Sequence, residues 1–186
     1  MKGFQVGPTI NACTKGLWIW KEVFYDENDE DKKLPILIVD TEGLGAFDEE
    51  QNHDTKIFLL AMLLCSLMIY NSMGPIDENA LNNLSLIVNL SKSLQIKKGE
   101  AATDADEMAE YFPSFLWILR DFALRLEDQD GNIISQRKYL ENSLMEQKGM
   151  SDAIEAKNRI RRLVSQFFQD RDCHTLVRPV EQEGKL

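Results

Sequence analysis

Apolar positions along the chain gather into short runs separated by polar breaks. Leu17-Trp18-Ile19-Trp20 and Val23-Phe24-Tyr25 are aromatic and branched, a composition that favours strands. Leu34-Pro35-Ile36-Leu37-Ile38-Val39 is continuously apolar, the pattern of a strand buried on both faces, and it stops abruptly at Asp40. Over residues 54–64, Ile57, Leu60, Ala61 and Leu64 recur at helical spacing. Leu67-Met68-Ile69-Tyr70 then predicts another buried strand, broken by Asn71-Ser72-Met73-Gly74-Pro75. Residues 76–94 place Ile76, Ala80, Leu84, Ile87 and Val88 or Leu90 on one helical face, with Asp77 positioned to cap the helix. A polar stretch at 97–107 predicts a loop, and residues 112–119 a further strand ending at Arg120-Asp121. Beyond a turn at Asp128-Gln129-Asp130-Gly131 come two polar helices from about Ser135 and Ser151, and a short strand near 173–177.

Strand and helix alternate, which predicts an α/β fold: a mostly parallel sheet with helices on both faces. Open sheets of this kind bind ligands outside the carboxyl ends of their strands, and Asp40 and Arg120-Asp121 stand at two such ends. No repeat or Gly/Ser/Pro-rich linker divides the chain, so residues 1–186 are treated as one unit.

Composition narrows the functions available. The formal charge of −10, from 31 acidic and 21 basic residues, repels phosphate backbones and anionic membranes, so nucleic-acid binding is not expected. The bunched acids of Asp26-Glu27-Asn28-Asp29-Glu30-Asp31 predict a solvated loop. Cys13, Cys65 and Cys173 lack paired spacing, which suits neither a disulfide framework nor a zinc knuckle and points to a reducing, cytoplasmic setting. The longest apolar stretch, residues 57–70, is about 14 residues against the roughly 20 of a membrane helix. No targeting segment is visible at the start.

Asp40-Thr41-Glu42-Gly43 carries the best local chemistry. An acid at a strand end can hold magnesium through water, and a following glycine lets a backbone N–H approach a terminal phosphate. A strand followed by an ordinary acidic turn has the same four residues. Thr14-Lys15-Gly16 is either a polar turn or a segment that brings the Thr14 hydroxyl onto Mg2+. Arg120-Asp121 is either a local ion pair or a base-recognition pair, since a carboxylate accepts paired hydrogen bonds from the guanine N1–H and exocyclic amine.

These pieces resemble one family. The runs Thr14-Lys15-Gly16-Leu17-Trp18-Ile19-Trp20, Leu37-Ile38-Val39-Asp40-Thr41-Glu42-Gly43-Leu44-Gly45, Tyr70-Asn71-Ser72-Met73-Gly74 and Phe112-Pro113-Ser114-Phe115-Leu116-Trp117-Ile118-Leu119-Arg120-Asp121-Phe122 resemble, in order, the GTPase domain of guanylate-binding proteins, dynamin-like large GTPases related to atlastins. Weaker likeness continues through Tyr139-Leu140 and Arg178-Pro179. The resemblance implies a P-loop GTPase-like fold that binds GTP and GDP, uses Mg2+, hydrolyses GTP and pairs with a second copy across the nucleotide face. It makes Thr14 the switch I threonine on magnesium and the γ-phosphate. Asp40 to Gly43 become switch II, with Asp40 toward the metal, Gly43 toward the nucleotide and Glu42 arranging the water network. Arg120 and Asp121 become the guanine motif, with Arg178-Pro179 near the cap over the base.

The chain also departs from the family pattern. Its 186 residues contain no G-x-x-x-x-G-K-[ST], so the resemblance implies a partial domain without the first strand, phosphate loop and first helix. Hydrolysis is then expected to be impaired, and a non-catalytic interaction module is the alternative. Ala12 stands where the family usually has a water-positioning serine. His53 and His174 have no metal-ligand spacing and are read as structural or surface residues.

Overall fold

The computed structural model describes residue 4, residues 14–26, residue 28, and residues 34–43, 51–84 and 112–180. Ala12, Cys13, most of the acidic run, Leu44-Gly45, the continuation of the predicted 76–94 helix beyond Leu84 and the 97–107 loop lie outside the described residues. The chain divides into two compact units, Met1–Ala61 and Met62–Leu186.

In the first unit β1 (Leu17–Ile19) pairs antiparallel with β4 (Val39–Thr41), and β2 (Phe24–Tyr25) with β3 (Pro35–Ile36). Between the two pairs the Trp20 amide donates to the Ile38 carbonyl at 2.8 Å. The 34–39 run is therefore neither one strand nor part of a parallel sheet, contrary to its apolar pattern. The cause is the connection. Nine residues, 26–34, join β2 to β3, too few for the crossover that parallel neighbours need, so the chain folds straight back on itself. Nor is the run buried: Leu34, Ile36, Leu37, Ile38 and Val39 are all exposed. A continuous apolar run reports what a strand could bury, and among the described residues nothing covers both of its faces.

In the second unit β5 (Leu67–Met73), β6 (Ser114–Arg120) and β7 (Arg171–Thr175) form a parallel sheet in that order. The parallel expectation holds for these three strands. Phe115, Trp117 and Leu119 alternate along β6 and are essentially fully buried, the period-2 signature of a central strand with one face in the core. Asn71, Ser72 and Met73 continue β5 rather than breaking it. The polar side chains are accommodated by cross-strand partners: the Trp117 indole N–H donates to Ser72 Oγ at 2.8 Å, and Arg120 Nε to Asn71 Oδ1 at 2.8 Å. The chain turns only at Gly74, whose positive φ of 78° suits a residue without Cβ.

Helix α1 (Gln51–Leu64) carries the chain from the first unit into the second. The second unit adds α2 (Glu78–Asn83), α3 (Gln136–Ser143) and α4 (Asp152–Phe167). Asp77, Ser135 and Ser151 cap these three helices by accepting from the backbone amides of Ala80, Lys138 and Ile154. Asp128 likewise gathers the amides of Asp130 and Asn132 in the predicted turn. Helix α3 packs on β7 and α2 on α4. An aromatic cluster joins α4 to the sheet, with Phe112 stacked on Phe167 at 4.6 Å and Phe115 on Phe168 at 4.5 Å. Among the described residues no helix is long and apolar enough to cross a membrane.

Cys65 and Cys173 carry free thiols. Burial, helped by the neighbouring Asp172 charge, pushes the Cys173 thiol up to about 12, so almost no reactive thiolate forms near neutral pH. Iodoacetamide at pH 8 is expected to modify Cys173 at least about tenfold more slowly in the folded chain than in urea. Equal rates, followed by mass spectrometry of its peptide, would show that β7 does not protect it.

Candidate functional site

The β1–β4 pairing sets one group of candidate residues in contact. Because Trp18 lies opposite Asp40 and Leu17 opposite Thr41, the residues just before β1 meet those just after β4. Thr14 Oγ1 donates to Asp40 Oδ2 at 2.9 Å. Gly16, at φ 75°, turns its backbone so that its amide donates to Glu42 Oε2 at 2.6 Å while its carbonyl accepts from the Glu42 amide at 3.0 Å. Glu42 is thus held by both backbone and side chain, and it is buried at 5% exposure. Its second carboxylate oxygen, Oε1, contacts His53 Nε2 from α1. Among the described residues a Cβ added at Gly43 would meet nothing within 4 Å.

A second group forms at the carboxyl end of β6. The Arg120 carbonyl accepts from the Gly74 amide at 2.7 Å, and the Phe122 amide donates to the Leu176 carbonyl at 3.0 Å. Between them Asp121 takes a left-handed conformation, φ 55°, among the described residues the only non-glycine to do so. Aspartate tolerates this region better than most residues, and the bend turns the chain at the strand end where open parallel sheets bind ligands. Arg120 and Asp121 are not a closed ion pair: Arg120 binds Asn71, and among the described residues the Asp121 carboxylate accepts no hydrogen bond. Leu176, bonded to both Leu119 and Phe122, draws the segment leading to Arg178-Pro179 toward this turn. Nearby, the Tyr139 hydroxyl accepts from the Ile76 amide at 3.0 Å, and its ring meets Phe122 edge-on. Burial raises the Tyr139 hydroxyl above its ordinary range, so it stays a neutral anchor.

Within the first unit Thr14 is therefore bonded to Asp40 and Gly16 to Glu42, and Arg120 and Asp121 share one turn of the second. Three participants were not read from the sequence: the Gly16 amide, Asn71 and His53. The Gly16 contact needs the strand register, and Asn71 needs the parallel pairing that aligns β5 with β6. His53, read as a structural or surface residue, is partly exposed and is brought by α1 onto Glu42 from 11 positions away, a separation with no spacing signature. His174, by contrast, meets Gln136 through Nδ1 at 3.0 Å on the surface, as read.

The Thr14 and Asp40 oxygens converge as hard donors, the type magnesium takes one or two of while phosphate oxygens and water complete its shell. These residues fit that ion. Among the described residues no group of three His, Cys, Asp or Glu side chains forms an all-protein metal cage, which such a site does not need.

All 186 residues match the family described as the guanylate-binding protein, N-terminal domain. The chain is 35% identical over 188 aligned positions to guanylate-binding protein 7 of Mus musculus and to guanylate-binding protein 4 of Homo sapiens, in each case 99% of this chain and 29% of the relative. It is 36% identical over 190 positions to guanylate-binding protein 1 of Homo sapiens, 97% of this chain and 31% of the relative. The chain thus spans about three tenths of the length of these curated relatives. A match along its whole length leaves one conclusion: the chain belongs to the guanylate-binding protein family.

Proposed function

We propose that this chain belongs to a GTPase domain that binds GTP with Mg2+ and directs water onto the γ-phosphate. The observation that carries the reading is the Thr14–Asp40 hydrogen bond beside a buried Glu42, an oxygen-lined group assembled from two segments 26 residues apart. Thr14 and Asp40 hold the ion, Gly43 offers its backbone N–H to the phosphate, and Glu42 accepts a hydrogen bond from the attacking water. Magnesium held by Thr14 and Asp40 would supply charge neutralisation at the phosphate oxygens, and the residues contribute orientation, the larger part of catalysis in phosphoryl transfer. Asp121, whose carboxylate has no described partner, accepts the paired donors of guanine, and Arg120 fixes the turn through Asn71.

The test uses the chain joined at its N-terminus to the phosphate-loop strand and helix of a guanylate-binding relative, since no such motif occurs in these 186 residues. This fusion should bind GTP more than tenfold tighter than ATP, because leaving a carboxylate and its partner unpaired costs on the order of 2–3 kcal/mol. Asp121→Asn should remove most of that preference. Equal affinity for the two nucleotides in the unmutated fusion would defeat the base assignment. Tight GTP binding without any hydrolysis would instead favour an interaction module.

A further inference from the structure

We propose that His53 is a positioning residue for Glu42. The inference rests on the reading above that Glu42 orders the attacking water, and adds to it the group that orders Glu42. A glutamate side chain has three rotatable bonds, and a carboxylate free to swing cannot present one oxygen to water in one direction. Here the carboxylate is held at two points. The Gly16 amide takes Oε2, and the His53 ring, carried on α1, meets Oε1 through Nε2. The two holds come from different segments, so neither rotation about the last bond nor withdrawal of the side chain keeps both contacts.

Burial fits this arrangement. The Glu42 side chain is 6% exposed, whereas that of His53 is 42% exposed. The facing atoms, Glu42 Oε1 and His53 Nε2, are themselves shut off from solvent. The Nε2 edge of the ring therefore lies on the carboxylate and screens Oε1 from competing solvent. A histidine present only to fix α1 would not need its polar edge on the one carboxylate of this unit that is buried among the described residues.

Two measurements separate this from a purely structural contact and from failure of the GTPase reading. In the fusion described above, His53→Ala should slow single-turnover GTP hydrolysis about tenfold or more while GTP affinity stays within about twofold, the split expected for lost orientation. Added imidazole should restore part of the rate, and His53→Ala combined with Glu42→Ala should be no slower than Glu42→Ala alone. His53→Ala turning over at the parent rate, while Glu42→Ala does not, would overturn the inference and leave the proposed function standing. If the fusion shows no preference for GTP, or Glu42→Ala leaves turnover unchanged, the proposed function fails and this inference falls with it. The second measurement needs no activity. The chain has only two histidines, His53 and His174, so their ring C–H signals are easily told apart by mutation. In the chain itself, Glu42→Gln should move the His53 signal and not that of His174, and an unmoved His53 signal overturns the contact even if His53→Ala proves too unstable to assay.

Discussion

Replacing Asp40 by alanine is expected to lower GTP turnover by the phosphate-loop fusion on the order of 10²–10³-fold, the loss typical when one preorganised electrostatic partner of a transferring group is removed. The magnitude follows from what the carboxylate does in the site. It lies in the middle of β4 and accepts from Thr14 Oγ1 at 2.9 Å, so its removal deletes one oxygen donor and releases the other. Thr14→Ala leaves Asp40 in place and should cost less than Asp40→Ala, with partial recovery at high Mg2+. Folding is not the cause in either case: Asp40 is only half-buried, and its backbone pairing with Trp18 does not depend on the side chain. Lys21→Ala, on the solvent-exposed surface, serves as the control and should keep turnover within about twofold. The comparison needs single-turnover rates at saturating GTP and circular dichroism on each variant. Full activity in a folded Asp40→Ala protein would remove switch II from this segment and the hydrolytic reading with it.

Elements that depend on local chemistry were legible in the sequence. The caps at Asp77, Ser135 and Ser151 and the turn around Asp128 rest on one side chain and amides two to four residues away, so a short window contains the whole interaction. Residues 114–120 of β6 were legible because a central strand buries what its composition offers. The 34–39 run has the same composition, yet it splits between two exposed antiparallel strands, because pairing direction is set by connection length and not by hydropathy. Asn71-Ser72-Met73 misled for the opposite reason: polar residues read as a break are kept in β5 by Trp117 and Arg120, partners 45 and 49 positions away. The candidate site divides in the same way. Thr14, Asp40, Glu42, Arg120 and Asp121 stand out by residue type beside apolar runs, although β4 runs past Asp40 to Thr41, whereas the Gly16 amide and the His53 ring become visible only when register and helix placement are known.

The largest expected loss of stability lies away from these residues, in a polar network that ties α2 to α4. Arg161 is buried at 4% exposure, and its Nη2 donates to Glu78 Oε1 while Nε donates to the Ser143 carbonyl at 3.2 Å. Glu78 Oε1 also accepts from Gln147 Nε2 at 2.7 Å, and Lys157 lies 3.4 Å from Oε2. Asn158 closes the network, accepting from the Gln147 amide at 2.8 Å and donating to the Gln147 carbonyl at 2.9 Å. Removing one member of a buried pair costs about 3–5 kcal/mol, and the partial exposure of Glu78 brings Arg161→Met to about 2–3 kcal/mol. For a chain of this size that lowers the melting temperature by roughly 4–12 °C. The loss should depend on pH in a definite direction. Burial alone would raise the Glu78 carboxyl, but the hydrogen bonds and charges of Arg161 and Lys157 outweigh it and hold it below its ordinary value of 4.5. A depressed carboxyl contributes its stability in full above that ordinary value and loses it as pH falls through the lower, folded one. Urea unfolding of the parent chain and Arg161→Met should therefore differ most at pH 6–7 and converge as pH drops below about 4. A gap that stays constant down to pH 3 would mean that Glu78 is not the group that keeps Arg161 in the core.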